Sequence, residues 1–416
     1  RWESFPEYMD YIASRRYSLD IGAQIAHGSL RYYVMGERGR MNEEATPDDL
    51  RQMSQLVTEA VQAGALGFST SRTIGHRALD GSPVPGTFAP DQELSAIADA
   101  MARAGRGVFE MIPAGTVGKL ERLGGERTTP EAEVKLMADF SRQSGRKVTF
   151  TLVQSPDYAP DTWERLLEMV VTANQTGAQL YPQVSSRPIG LASGLSGYHA
   201  FQRRPTYMKL AHLPLAERAR EMAKPEIKAA IMSETDVLVD QPGSMANMYQ
   251  LFQTAAMFLY PLADPVDYEP DPSEMLGSRA AATGQDVLDL LYDYLLEQDG
   301  AAMCALMGGP NVHDSQEVLR QMLIHPETVT GLSDAGAHVT LICDATMPTT
   351  QLTFWARDRH KGERLPLEFL VAKQTARNAD LYGLKDRGRL AVGLRADINV
   401  IDFENLRVSP PKTFHD

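Results

Sequence analysis

Short apolar runs alternating with amphipathic stretches dominate residues 19–185, and that rhythm limits the folds open to the chain. The apolar runs are 19–27 (LDIGAQIAH), 65–71 (ALGFSTS), 107–112 (GVFEMI), 147–153 (KVTFTLV) and 178–185 (AQLYPQVS). Between most of them lie stretches with apolar residues at helical spacing, at 46–65, 89–105, 129–145 and 161–177. Thr46, followed by acids in the next turn, is a helix N-cap, and Gly105 is a C-cap. Strands that are apolar almost throughout are buried on both faces, which strand–helix repeats achieve by pairing in parallel. A doubly wound sheet and a (β/α)₈ barrel both satisfy this. No G-x-G-x-x-G follows a strand, which argues against the dinucleotide-binding form of the former.

Residues 190–325 break the rhythm with helical segments and the acidic, Pro-rich run YPLADPVDYEPDPSEM. A connection of that length reads as an excursion between the last two strands, large enough to form a lid or a pocket wall. From His325 the run HPETVTG reads as a short β-branched strand, and GLSDAGAHVT (331–340) follows it. Residues 365–384 read as a helix. Beyond it come turn glycines at 388 and 393 and the alternating DINVIDF, the expected start of a β-rich second domain over 385–416.

The 416 residues, 43% hydrophobic and 23% charged, suffice for a large core. A net charge of -13 argues against nucleic acid and anionic membrane surfaces as partners, because both reward basic patches. The two cysteines, Cys304 and Cys343, are too few for a disulfide framework and read as buried hydrophobes in a reducing compartment, the cytoplasm. The most apolar stretch, 251–263, is too short and too polar to span a bilayer. The chain opens RWESFPEYMDYIASRR without an initiator Met, so further sequence upstream is expected.

In a parallel barrel the chemistry sits at the C-terminal ends of the strands. Asp334, one acid among small residues, stands there, and as a bland alternative it caps the next helix. His27 ends the first run, His76 lies in the Gly/Pro-rich loop GHRALDGSPVPGTF, and His338 follows Asp334 on the same loop. All three read as candidate substrate contacts, against the alternative of satisfied structural histidines. Tyr181 reads as a hydrogen-bond donor or a pocket wall. Arg31 and Arg187 read as grips for a substrate carboxylate, unless each merely pairs with a neighbouring acid. Glu110 points either into the mouth or into the layer beneath.

The run KDRGRLAVGLRADINVIDFENLRV resembles the G-x-L-x-x-G-x-x-A-D signature of metal-dependent amidohydrolases, and SDAGAH resembles their eighth barrel strand. RWESFPEYMDYI, IAHGSLRYYVMG, AGALGFSTSR and YPQ are similar, in the same order, to segments of the N-acyl-D-amino-acid deacylase (D-aminoacylase) family. The resemblance implies an amidohydrolase (β/α)₈ barrel over 1–384, N-terminally truncated, and the start of a small β-sandwich over 385–416. It implies deacylation of an N-acyl-(D-)amino acid, or a related small amide, by water activated on a divalent metal, zinc. Asp334 would contact the metal and act as general acid and base. Two departures stand out. The family's His-x-His pair and Cys ligand precede this chain's first residue, and the strands that carry one His each read GVFEMIP and VTFTLVQ here. The competing readings are a cyclic-amide or other amidohydrolase, and a non-catalytic descendant that binds a small molecule.

Overall fold

The computed structural model describes residues 2–241, 243–308, 315–336, 341–342 and 344–413. Six strands form one parallel sheet: β1 (Ile25–Ala26), β2 (Gly67–Ser71), β3 (Val108–Ile112), β4 (Lys147–Thr151), β5 (Leu180–Val184) and, far along the chain, β9 (Val329–Thr330). Their order in the sheet is β1-β2-β3-β4-β5-β9. Each of the four connections from β1 to β5 runs through helix, and all six strands point the same way. Among the described residues the sheet has two edges, β1 and β9, and does not close on itself as a complete eight-stranded barrel would.

The helices obey local chemistry. Thr46 accepts from the Asp49 N–H while Asp49 reaches back to the Thr46 N–H, which starts Pro47–Gln62 with a reciprocal cap. Gly105 and Gly145, both left-handed, stop Asp91–Ala104 and Pro130–Ser144. These helices press their apolar faces on the outer side of the sheet. There Phe68, Phe109, Phe140 and Phe150 join Met53, Met101 and Met137 in one continuous core.

The residues between β5 and β9 carry what the sequence did not show: an antiparallel sheet of β6 (Ile189–Gly194), β7 (Leu259–Pro261) and β8 (Met303–Gly308), ordered β6-β8-β7. Around it Phe201, Met222, Ile231, Phe252, Tyr292 and Cys304 form a second hydrophobic cluster. Burial pushes the Cys304 thiol up to about 12, so it packs as an inert apolar group. Cys343 lies outside the described residues. No helix among the described residues is long and apolar enough to cross a membrane.

Other expectations change in detail. Only Ile25–Ala26 of the run 19–27 pairs as strand, at an edge of the sheet among the described residues, and Leu19 and Ile21 are exposed. The helix expected over 365–384 is two, Leu367–Gln374 and Ala376–Tyr382, broken at Thr375 (φ -108°, ψ -81°). DINVIDF forms no strand. It is irregular and mostly exposed, lying where Arg387 and Arg395 pair with Asp20 rather than with a second sheet.

Gly67 decides how closely β2 and β3 approach. A Cβ there would stand 1.8 Å from the Val108 carbonyl oxygen and 2.6 Å from its nitrogen, both backbone atoms that cannot step aside. Gly67→Ala is therefore expected to cost about 1–3 kcal/mol or more, the range of core overpacking. Chemical denaturation of the two proteins measures it, and an unchanged midpoint refutes the close-approach argument.

Candidate functional site

The register lines up Ser69, Glu110, Thr149 and Tyr181 across β2 to β5. Their buried neighbours Phe68, Phe109, Val148 and Leu180 point instead to the outer helices. On this inner face Gln183 donates to Glu110 Oε1 at 3.0 Å and the Tyr382 hydroxyl to Oε2 at 3.2 Å. Helix Ala376–Tyr382 thus covers the middle of the inner face, and Glu110 belongs to a packed layer below the mouth. Burial, with Glu110 beside it, drives the Tyr382 phenol well above its ordinary range, so it remains a donor.

Tyr181, expected at the mouth, sits below it, in register with the mid-strand residues Glu110 and Thr149. It is the second residue of β5, next to Lys147 at the start of β4, with Arg377 and Lys147 at 5.4 and 5.7 Å from its ring centre. β5 starts at Leu180, so Tyr181 is only its second residue, three short of the C-terminal end.

His27 and Arg31, expected in the pocket, are buried on the helix side instead. His27 Nε2 lies 2.7 Å from Glu93 Oε1, and Nδ1 lies 2.8 Å from Thr70 Oγ1. Arg31 binds both oxygens of the same carboxylate and the Glu43 carbonyl. Burial drives the His27 imidazole below its ordinary value, against the pull of Glu93. A neutral ring satisfies both contacts: Nε2–H donates to Glu93 and Nδ1 accepts from Thr70. Burial alone would raise Glu93, but the hydrogen bonds from His27 and Arg31 hold it below the usual carboxylate value. Gly86 closes over this cluster, since a Cβ there would meet His27 Nδ1 at 2.6 Å and its φ is +98°. Glu93 is the residue sequence reasoning missed. It stands 66 positions from His27, and its only signal was an acid in the first turn of a helix.

The C-terminal ends of the strands carry a different set. His76, exposed on the loop after β2, places Nδ1 2.9 Å from the Ser71 hydroxyl. Asp334 is exposed four residues past the end of β9. Arg187, three residues past β5, is buried and donates to Asp344 Oδ1 at 2.7 Å. Burial raises the Asp344 carboxyl despite Arg187 beside it, and the charge of Asp334 adds to that rise. His338 lies outside the described residues. Asp334 and His76 are thus the expected site residues that the fold leaves exposed around the mouth. Among the described residues, no group of three or more His, Cys, Asp or Glu side chains could hold a metal ion.

Two measurements test the buried cluster. Glu93→Gln leaves the Arg31 charge buried beside a neutral partner and is expected to cost about 3–5 kcal/mol, read from the shift of the urea unfolding curve. The second concerns pH. Because His27 is held below 6.5 in the fold, the unfolded chain takes up a proton first on acidification. Stability from this residue is therefore complete above pH 6.5 and lost as the pH falls further. His27→Gln is expected to flatten that part of the stability profile. An unchanged slope below 6.5 contradicts the neutral assignment.

Comparison with known proteins agrees with this architecture. Imidazolonepropionase of Paracoccus denitrificans (strain Pd 1222) is 33% identical over 147 residues, 34% of this chain and 36% of that protein. N-acyl-D-glutamate deacylase of Alcaligenes xylosoxydans xylosoxydans is 52% identical over 46 residues, 11% of this chain and 9% of that protein. Among solved structures, N-acyl-D-glutamate deacylase from Bordetella bronchiseptica, complexed with zinc and a phosphonate inhibitor, superposes with a TM-score of 0.53 at 18% identity. It is matched over 95% of this chain and 64% of its own. A D-aminoacylase crystal structure gives 0.53 at 16% identity, over 95% and 65%. The chain therefore spans about a third or less of the two sequence relatives and just under two thirds of the solved chains. At such identities the structural likeness speaks for the fold. The model of the amidohydrolase family matches residues 1–416, and the chain belongs to that family.

Proposed function

We propose that the chain is part of a hydrolase that cleaves the linear amide of a small N-acyl amino acid, with Asp334 carrying the proton. The observation that carries the reading is the position of Asp334, an exposed carboxylate beyond the last parallel strand of an amidohydrolase-family sheet. The small residues Ala335 and Gly336 follow it, and among the described residues a Cβ built on Gly336 would meet nothing within 4 Å. In the reaction Asp334 takes a proton from the attacking water as its oxygen bonds to the carbonyl carbon. It returns that proton to the nitrogen as the C–N bond breaks, releasing a carboxylic acid and an amine.

The substrate class is supported by the short segment shared with N-acyl-D-glutamate deacylase and by the fold shared with the inhibitor-bound enzyme of that name. His76, on the neighbouring loop, is assigned to the substrate side of the mouth. A divalent ion fits the family, since that solved deacylase holds zinc. The described residues offer it no ligand set, so no step above runs through a metal. The excursion between β5 and β9 is assigned as a wall of the mouth, because it leaves the sheet there, at the end of β5.

Asp334→Asn in the full-length protein is expected to lower amide turnover by about 100-fold or more, the usual contribution of a positioned acid–base group. The thermal midpoint should move little, because Asp334 is exposed. Hydrolysis of N-acyl amino acids and thermal unfolding are measured on both proteins. A folded variant that keeps most of the rate removes Asp334 from the chemistry. A wild-type protein that binds these substrates without cleaving them favours the non-catalytic descendant.

A further inference from the structure

Arg187 reads in the sequence as a grip for a substrate carboxylate, but its surroundings give it another task. The side chain is 1% exposed. Nη1 donates to Asp344 Oδ1 at 2.7 Å and to the Pro188 carbonyl at 2.9 Å, and Nη2 donates to Thr346 Oγ1 at 3.1 Å. The guanidinium carbon stands 4.2 Å from the ring centre of Tyr268. With its charge met by Asp344 and its plane covered by Tyr268, it presents no surface to a substrate.

Three segments distant in sequence meet on this one side chain. One is the loop that leaves β5. The second is the acidic, Pro-rich loop of the excursion, through Tyr268. The third is the segment downstream of Asp334, through Asp344 and Thr346. The Asp334 loop has an anchor on its other side, where the Gly331 N–H donates to the Val184 carbonyl at 3.2 Å. Downstream, the Ala192 N–H donates to the Leu341 carbonyl at 2.7 Å, and Arg187 fixes Asp344 just beyond. The ends of that loop are thus tied to β5, to β6 and to the β5 loop.

We infer that Arg187 is a positioning residue: it binds the excursion loop at Tyr268 and the segment at Asp344 to the end of β5, and so sets where Asp334 stands. A planar fork is needed for this. Lysine keeps the charge, but its single compact ammonium lacks the two fixed nitrogens that reach Asp344 and Thr346 while the plane lies on a ring. The inference stands apart from the hydrolase reading, since it concerns which segments move together.

Hydrogen exchange on the full-length protein tests it. In Arg187→Lys the amides of 266–269 and 344–346 should exchange about tenfold or more faster, the effect expected when charge-assisted hydrogen bonds are lost. Those of β3 and β4 should keep their protection. Unchanged exchange in both loops overturns the proposal. Should Arg187→Lys also release β3 and β4, Tyr268→Leu decides. Faster exchange at 344–346 together with 266–269 supports the shared clamp, and release of 266–269 alone overturns it. A kinetic comparison separates positioning from general weakening. Arg187→Lys should lower kcat for N-acyl amino acid hydrolysis about tenfold, yet lower it little further in the Asp334→Asn background. An equal fall in both backgrounds counts against action through Asp334. Absence of hydrolysis in the wild type counts against the hydrolase reading, and the exchange comparison still decides the clamp.

Discussion

Gly67 and Val108 stand so close that no side chain fits between their backbones, and this approach carries the central ladder. With β2 and β3 fixed in register, β4 and β5 follow, and residues 69, 110, 149 and 181 fall in one row. A parallel ladder then leaves two consequences. All strand C-termini open on one side, which collects the loops after β2, β5 and β9 at one mouth. Both faces of the sheet also need cover. Outer helices supply it on one side, and Ala376–Tyr382 supplies it on the other by bringing a phenol to Glu110. A carboxylate in the inner layer is tolerated only because Gln183 and Tyr382 both donate to it.

The loops at the mouth are held by buried ion pairs rather than by apolar contacts. Arg31 meets Glu93, Arg72 meets Glu133, and Arg187 meets Asp344, each with a carboxylate at most 2% exposed. Taking such charges out of water offsets most of their attraction, so these pairs add little net stability. What they supply is geometry. Arg72, immediately past β2, spans from the Glu133 carboxylate in the first turn of the next-but-one helix to the Ala89 carbonyl. That span fixes the loop carrying His76 at its far end. Burial raises Glu133 and Asp344 while their arginines oppose the rise.

The central strands were legible because their apolar runs are bounded by glycines that can adopt positive φ, such as Gly105, Gly145 and Gly177. The antiparallel sheet was not. β6 reads IGLASG and β8 reads MCALMG, small residues with no polar alternation, and β7 is three residues ending in Pro. β6 pairs with β8 across more than a hundred positions and β7 with β8 across more than forty, which no local pattern encodes. At the mouth, the sequence located the loops but not the direction of each side chain. His27 directly follows β1 as the first residue of a helix, and its ring turns to the outer side, where Thr70 and Glu93 complete both nitrogens. Tyr181 failed for a smaller reason, a strand that begins two residues later than its apolar run.

The same accounting separates the polar residues of the mouth by what remains available to them. Arg31, His27 and Arg187 are each about 1% exposed and engaged by acids of this chain, so their hydrogen-bonding capacity is committed to the fold. Asp334 and His76 are exposed and stand on loops whose ends are tied down. A rigid frame that holds exposed groups in place is the arrangement in which a side chain can meet a substrate with little reorganisation. The buried pairs therefore matter through geometry: they fix the loops on which Asp334 and His76 stand.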